Sequence, residues 1–232
     1  MNTRPVLWIV GAGGHGRVVA DAAAAGGRYV EIVFYDDDAS LGPRIGRWAW
    51  AGTAEAFFAA HASASPAATV ERHVAIGDNV VRARFVQRCE ALGLPLATVL
   101  HPAAVVSPDA AIAPGCFVAA TAVVAPGASL GAASIVNHGA SVDHDNRIGR
   151  LVHIGPGARL GGAVTVGDGS WIGLGAALRH GVQVGREALV GAGAVVVADV
   201  ADGQRVVGNP ARPLVSQNDS AAAQPPRTPT RT

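Results

Sequence analysis

Residues 137–146 read NHGASVDHDN, which concentrates reactive polar side chains within a stretch dominated by small and aliphatic residues. His144 lies at the centre of an Asp-His-Asp run, between Asp143 and Asp145. A neutral imidazole can take a proton from an attacking nucleophile near pH 7, and a carboxylate on its other nitrogen fixes the tautomer and stabilises the imidazolium. The run therefore predicts a general base at His144, with either flanking aspartate able to orient it.

The segment that carries this run repeats every six residues. A period of six fits neither the 3.6 residues of a helix turn nor the alternation of a half-buried strand, whereas it suits a solenoid whose short strands turn a corner every six residues. Three hexapeptides would close one triangular coil, and coils stack at about 4.8 Å. Sixteen consecutive positions hold the aliphatic phase: Val106, Ile112, Val118, Val124, Leu130, Val136, Val142, Ile148, Ile154, Leu160, Val166, Ile172, Leu178, Val184, Val190 and Val196.

A different pattern precedes the repeat. The strand-like run PVLWIV, the glycine-rich GAGGHG, the helical RVVADAAAAGG and the strand-like VEIVFYDDD together predict a βαβ unit. Gly11, Gly13 and Gly16 satisfy G-x-G-x-x-G, and Asp36 follows Gly16 by twenty residues. Such glycines let a phosphate approach the amides at a helix N-terminus, while the aspartate can hold a ribose or a base edge.

The N-terminal segment is too short for a complete dinucleotide-binding domain. About sixty-five residues separate Asp38 from the repeat, and they predict two further strands, in VERHVAIG and PLATVL, around a helix in NVVRARFVQRCEALG. This half Rossmann-like fold favours one nucleotide over two and argues against an NAD-dependent enzyme.

Composition excludes several function classes. Charged residues make up 15% of the chain and the formal net charge is +1, so no basic stripe indicates nucleic acid. No apolar stretch is long enough for a membrane span, and the spacing of histidine, aspartate and cysteine indicates no metal site. Cys89 and Cys116 form no CxxC pair and are expected to be reduced thiols of a cytoplasmic protein. The polar, proline-rich end predicts a disordered tail over residues 215–232.

The repeat resembles the hexapeptide-repeat acyltransferases in IGPGAR, VGDGSW, IGLGAA and VGAGAV, and VVGNPARPL is similar to the segment that follows their last coil. With GAGGHG, YDDD and AIGDN at the ends of the N-terminal strands, nearly the whole chain resembles bacterial N-acetyltransferases of nucleotide-linked 4-amino-4,6-dideoxy sugars and their sialic acid O-acetyltransferase relatives. The resemblance implies a nucleotide-sugar-binding Rossmann-like α/β domain over 1–100, a left-handed parallel β-helix over 101–214, and a homotrimer that binds acetyl-CoA between neighbouring helices.

The resemblance also implies roles for individual residues. His144 is the expected catalytic base and Asp145 its expected partner, although the residues alone leave Asp143 open. The expected substrate contacts are Gly13, Gly14, His15, Asp36, Asp37, Gly77, Asn79 and Asn137. The expected acetyl-CoA contacts are His153, which would touch the acetyl group or the sulfur, for instance as an oxyanion donor, and Gly162, Gly173, Leu174, Gly191 and Ala192.

The sequence thus predicts an acetyl-CoA-dependent N-acetyltransferase in which the sugar amine attacks the thioester directly. An O-acetyltransferase acting on a sialic acid and a non-catalytic nucleotide-sugar sensor are the alternatives. The residues do not select UDP, GDP or CMP as the nucleotide. They also leave open which arginine binds the CoA phosphates, the candidates being Arg179, Arg186, Arg205 and Arg212. His180 is expected to be a surface histidine, and no role is assigned to His138.

Overall fold

The computed structural model describes residues 4–59 and 69–214, so the predicted tail over 215–232 lies outside the described residues. The N-terminal part is an α/β unit whose elements follow in chain order: β1 (Val6–Val10), α1 (Gly14–Ala25), β2 (Glu31–Tyr35), a 3₁₀ turn (Ala39–Leu41), β3 (Arg44–Ile45), β4 (Trp48–Gly52), α2 (Ala54–Ala59), β5 (Val70–Val74) and α3 (Asn79–Ala91).

The N-terminal sheet has the strand order β3-β4-β2-β1-β5 and is parallel except for the short β3–β4 pair. The apolar strand β1 lies between β2 and β5, with helices covering both faces, as continuous hydrophobic runs require. The predicted βαβ unit is present. PLATVL does not form the predicted strand of the N-terminal sheet. Leu96 makes only an isolated bridge to Arg72, and Val99–Leu100 pairs with the solenoid.

The solenoid consists of short strands separated by four-residue turns, except for the eight residues 197–204 before the last two strands. In chain order these are β6 (Val99–Leu100), β7 (Val105–Val106), β8 (Ala111–Ile112), β9 (Phe117–Val118), β10 (Val123–Val124), β11 (Ser129–Leu130), β12 (Ile135–Val136), β13 (Ser141–Val142), β14 (Arg147–Ile148), β15 (His153–Ile154), β16 (Arg159–Leu160), β17 (Thr165–Val166), β18 (Trp171–Ile172), β19 (Ala177–Leu178), β20 (Gln183–Val184), β21 (Leu189–Val190), β22 (Val195–Val196), β23 (Arg205–Val207) and β24 (Arg212–Pro213).

These strands form three sheets around one apolar interior, as a left-handed β-helix. The docking sheet contains β6, β9, β12, β15, β18, β21, β23 and β24; the second sheet runs from β7 to β22 and the third from β8 to β20, each taking every third strand. Each predicted aliphatic position is the second residue of a strand. Each coil bonds to the next: the amide of Ser141 donates to the carbonyl of Ala158 at 2.9 Å, and that of Arg147 to Val164 at 2.9 Å.

The N-terminal domain packs on the docking sheet. Phe117 and Ile135 point outward from that sheet and join the apolar core formed by β1, β2 and α1. The N-terminal domain therefore shares a hydrophobic core with one face of the β-helix, and this burial holds the two parts in a fixed arrangement.

Candidate active site

The turn at 143–146 connects β13 to β14 and carries the Asp-His-Asp run at the edge between the second and third sheets. Nδ1 of His144 lies 2.8 Å from Oδ2 of Asp145, whereas Oδ1 of Asp143 accepts from the backbone N–H of His144 at 2.7 Å. Because a carboxylate only accepts, neutral His144 carries its hydrogen on Nδ1 and leaves Nε2 as a free acceptor. The geometry thus favours Asp145 as the orienting carboxylate, while Asp143 fixes the turn.

Asp145 has a left-handed backbone conformation with φ of 59°. The equivalent turn position is Gly127 one coil earlier and Gly181 two coils later, both also with positive φ. Left-handed geometry costs most L-residues about 1–2 kcal/mol, although aspartate tolerates it better than most. Ala163, at the same position one coil later, also has a positive φ, so this turn accepts residues other than glycine, and what distinguishes the Asp145 carboxylate is its bond to His144.

The ring of His144 lies against the next coil of the β-helix. A Cβ on Gly162 would overlap Nε2 of His144, so only glycine leaves room for this ring position. The His144 side chain remains 60% exposed. Its hydrogen bond to Asp145, and then the charge of Asp143, raise the pKa of His144 above the ordinary histidine value. These features equip an accessible imidazole to receive a proton from a ligand.

The glycine loop between β1 and α1 borders a cleft of about 390 Å³ at the carboxyl ends of the N-terminal strands. Gly16 packs on the loop so closely that a Cβ there would overlap the carbonyl of Gly11. Gly13 and Gly14 face open space on the side where a Cβ would stand, and no side chain caps the first turn of α1. Free amides at a helix N-terminus form a site suited to phosphate.

The predicted aspartates line the same cleft and also hold its backbone. Oδ2 of Asp36 accepts from the amide of Ala12 at 2.7 Å, which ties the glycine loop to β2. Oδ1 of Asp37 accepts from the amide of Ala54 at 2.8 Å, at the start of α2. Both carboxylates therefore fix the backbone that forms the cleft, whether or not they also contact a ligand.

A second histidine cluster, formed by His153, Asn137 and Gly77 and separate from the Asp-His-Asp run, lies where the N-terminal domain meets the docking sheet. Nδ1 of His153 lies 3.2 Å from the carbonyl of Gly77, and Nε2 lies 3.2 Å from Nδ2 of Asn137. Burial lowers the pKa of His153 to about 4, so the ring is neutral at physiological pH. Because a carbonyl only accepts, the hydrogen sits on Nδ1 and Nε2 accepts from Asn137. In this state His153 has no hydrogen to offer an oxyanion, so the geometry favours an orienting role.

The side chains of His15 and Asn79 make contacts inside the protein as well as standing near the cleft. The ring of His15 packs edge-on against Phe117 at 5.4 Å, and its Nε2 is buried without a hydrogen-bond partner among the described residues. Burial, and then the nearby His153, lower the pKa of His15 to about 3, which keeps it neutral. Nδ2 of Asn79 donates to the carbonyls of Gly169 and Ser170, so this amide holds the domains together.

The structure brings His15, Gly77, Asn137 and His153 together but places His144 elsewhere. Each coil has a triangular section, and the turn with His144 lies on the edge opposite the docking sheet. The expected acetyl-CoA contacts are divided in the same way. Gly162 lies beside His144, whereas Gly173, Leu174, Gly191 and Ala192 lie on the edge between the docking sheet and the second sheet.

Sequence reasoning missed Arg82, which is 1% exposed and bonds both to the loop after β5 and to the β-helix. Its signal was present in α3, where Arg82, Val86 and Cys89 have the i, i+4, i+7 spacing of one helix face and are all buried. An arginine on the inward stripe of this 13-residue helix predicts a buried network.

Two further properties concern only the part of the chain that is described. No three histidine, cysteine, aspartate or glutamate side chains converge there as metal ligands would. None of its helices combines the length and apolar character needed to cross a membrane.

Comparisons with known proteins give the chain a family. The model of the PglD N-terminal domain matches residues 6–89. The acetyltransferase domain of PglB from Neisseria gonorrhoeae FA1090, solved in complex with acetyl coenzyme A, is 44% identical, with a TM-score of 0.85 over 91% of this chain and 100% of that one. No curated protein sequence matches significantly.

Two other solved structures match over similar lengths. PerB from Caulobacter crescentus, in complex with CoA and GDP-perosamine, is 33% identical with a TM-score of 0.82, covering 90% of this chain and 97% of that one. WeeI from Acinetobacter baumannii AYE is 27% identical with a TM-score of 0.78, covering 90% and 99%. With its N-terminal α/β domain and its β-helix, the chain belongs to the hexapeptide-repeat nucleotide-sugar acetyltransferase family.

Proposed function

We propose that this acetyltransferase moves the acetyl group of acetyl-CoA to the amino group of a nucleotide-linked 4-amino-4,6-dideoxy sugar. The observation that carries the proposal is His144, whose Nδ1 bonds to Asp145 and whose Nε2 is free beside Gly162. The similar GDP-perosamine N-acetyltransferase of Caulobacter crescentus, solved with CoA and GDP-perosamine, supports the same substrate class here. The glycine-loop cleft is suited to the phosphates of such an acceptor.

The chemistry needs one proton acceptor and no covalent enzyme intermediate. The neutral sugar amine attacks the thioester carbonyl carbon, and its proton passes to Nε2 of His144. The carbon–sulfur bond then breaks, and the CoA sulfur takes a proton from the imidazolium or from water. Asp145 stabilises the imidazolium between these steps and holds Nε2 toward the nucleophile.

The proposed assembly is a homotrimer in which each reaction site combines two chains. Support comes from the two edges of the β-helix, because His144 and Gly162 lie on one edge while Asn137, Leu174 and Ala192 lie on another. In a cyclic assembly one edge of each helix faces the other edge of its neighbour. Acetyl-CoA bound in that groove would contact both sets of residues, and the sugar on one N-terminal domain would reach the neighbour's His144.

The acceptor test uses purified protein, acetyl-CoA and a panel of sugars, with release of free CoA as the readout. We expect turnover with a UDP- or GDP-linked 4-amino-4,6-dideoxy sugar and none with the matching 4-hydroxy sugar, because the reaction needs an amine. Mass spectrometry should find one added acetyl group on the product. Turnover of CMP-sialic acid in place of the amino sugars would contradict the proposal and favour an O-acetyltransferase.

Replacement of His144 tests the base, and the chain offers a matched control. His180 has the same turn position two coils later, is exposed, and follows Arg179 instead of an aspartate. We expect His144→Ala to lower kcat by about 10²–10⁴-fold, since it removes general-base catalysis. His180→Ala should keep kcat within about threefold of the wild type, as expected of a residue outside the reaction. Equal losses in both variants would contradict the assignment.

The pH profile tests Asp145. Because the base works in its neutral form and Asp145 raises the pKa of His144, activity should fall as pH drops through that raised pKa. Asp145→Asn removes the charge and the acceptor geometry, so the acid limb of kcat/KM should move to lower pH and the plateau should fall. Asp143→Asn should move the limb less, because its bond is to the backbone of His144. An unmoved limb in Asp145→Asn would exclude the pairing.

A further inference from the structure

Arg82 of α3 carries a buried cation whose donors all bond within the protein. Nη1 donates to the carbonyls of Ile76 and Gly77, both at 2.9 Å, in the loop after β5. Nε donates to the carbonyl of Ala133 at 3.0 Å, and Nη2 to that of Leu151 at 2.8 Å. The guanidinium therefore connects the nucleotide-site loop to two successive coils of the β-helix.

The guanidinium of Arg82 is held by hydrogen bonds to uncharged groups, without an ion pair. Among the described residues Arg82 takes part in no salt bridge, and its one side-chain partner is Oδ1 of Asn79 at 2.6 Å. Burial lowers the pKa of Arg82 to about 10, so it remains protonated at neutral pH. A planar fork of donors suits this task, which the point charge of a lysine cannot reproduce.

The carbonyl of Gly77 links Arg82 to the second histidine cluster. It accepts from Nη1 of Arg82 at 2.9 Å and lies 3.2 Å from Nδ1 of His153. A carbonyl oxygen has two lone pairs, and these two donors use both. The position of this carbonyl therefore decides whether His153 keeps its hydrogen on Nδ1.

The tautomer of His153 in turn decides which way Asn137 presents its amide. Oδ1 of Asn137 accepts from the backbone N–H of His138 at 2.9 Å, so Nδ2 must face Nε2 of His153. If the hydrogen of His153 moved to Nε2, it would confront the Nδ2 hydrogens, and turning the amide would break the bond to His138. Asn137 keeps one Nδ2 hydrogen and one Oδ1 lone pair for a ligand.

We infer that Arg82 is a positioning residue for acetyl transfer, acting through Gly77 and His153 to fix the amide of Asn137 toward the acceptor sugar. The inference rests on the proposed function for its kinetic consequence. The hydrogen-bond relay that it describes is a property of the protein without substrate, and it can be measured separately.

The first test reads the tautomer of His153 by ¹⁵N NMR of histidine-labelled protein, with His153→Phe used for assignment. In the wild type we expect hydrogen on Nδ1 and none on Nε2. In Arg82→Lys we expect a shift toward the Nε2–H tautomer. The control is Arg72→Lys, which alters another buried arginine, stacked 4.9 Å above Trp8. An Nε2–H tautomer in the wild type, or an unchanged tautomer in Arg82→Lys, would overturn the relay.

The second test measures turnover with the acceptor sugar. Arg82→Lys should lower kcat at least about tenfold, since misplaced groups lose the alignment that transfer needs, with a smaller change in the KM of the sugar. In an Asn137→Ala background the same substitution should have little further effect on kcat, because the two residues act in one chain of contacts. Additive losses would indicate a merely structural role and overturn the inference.

Folding and function are separated by two further readouts. If Arg82→Lys does not fold, judged by thermal melting against Arg72→Lys, Arg82→Gln replaces it in both tests, because its amide retains donors. A wild-type protein that acetylates none of the sugars contradicts the proposed function, while the tautomer measurement still decides the relay. An altered tautomer with an unaltered kcat would overturn the positioning role alone.

Discussion

The stacking of coils is the constraint on which the rest of this structure depends. Every coil must satisfy its amides with the carbonyls of the next, as Ser141 does with Ala158, and that requires a fixed number of residues per coil. The aliphatic residue that ends each strand from β7 to β22 then points inward. The middle residues of the turns are left outside, where Asp143, His144 and Asp145 can be reactive without disturbing the core. Stability and chemistry thus use different positions of one repeat.

The same constraint separates the parts of the site within one chain. The N-terminal domain shares its apolar core with the docking sheet, which brings the glycine-loop cleft close to Asn137 and His153. His144 lies on the opposite edge of the triangle, and the rigid coils hold it there. In the proposed trimer, a neighbouring chain would bring its His144 to this cleft. The two histidines also differ physically: the pKa of His144 is raised by carboxylates, whereas burial lowers that of His153.

Sequence alone predicts the features that repeat or that follow local chemistry. The six-residue period predicts every β-helix strand from β7 to β22, and the apolar run before GAGGHG predicts β1. The sequence analysis did not predict β3 and β4, of which β4 pairs with β2 and β3 pairs with β4. PLATVL reads as a strand of the N-terminal domain, yet pairing with β9 draws its end into the β-helix.

Within the site, residue types are predictable and their partners are not. The choice between Asp143 and Asp145 depends on turn geometry, because adjacent residues point in different directions at a corner. The tautomer of His153 depends on Gly77, seventy-six positions away in the sequence. Arg82 bonds to carbonyls of three separate segments; the helix-face pattern marks its side chain as buried but does not give these partners.

The central claim is that one chain supplies the base and its neighbour holds the acceptor, and subunit complementation tests it most directly. His144→Ala and Asn137→Ala, each expected to lower turnover on its own, would be co-expressed with different tags and the mixed oligomers isolated by sequential affinity steps. If each site pairs two chains in a ring, random mixing should restore about a quarter of the wild-type sites, and isolated mixed oligomers somewhat more. Activity no higher than that of either parent would place both residues in a single-chain site and contradict the account.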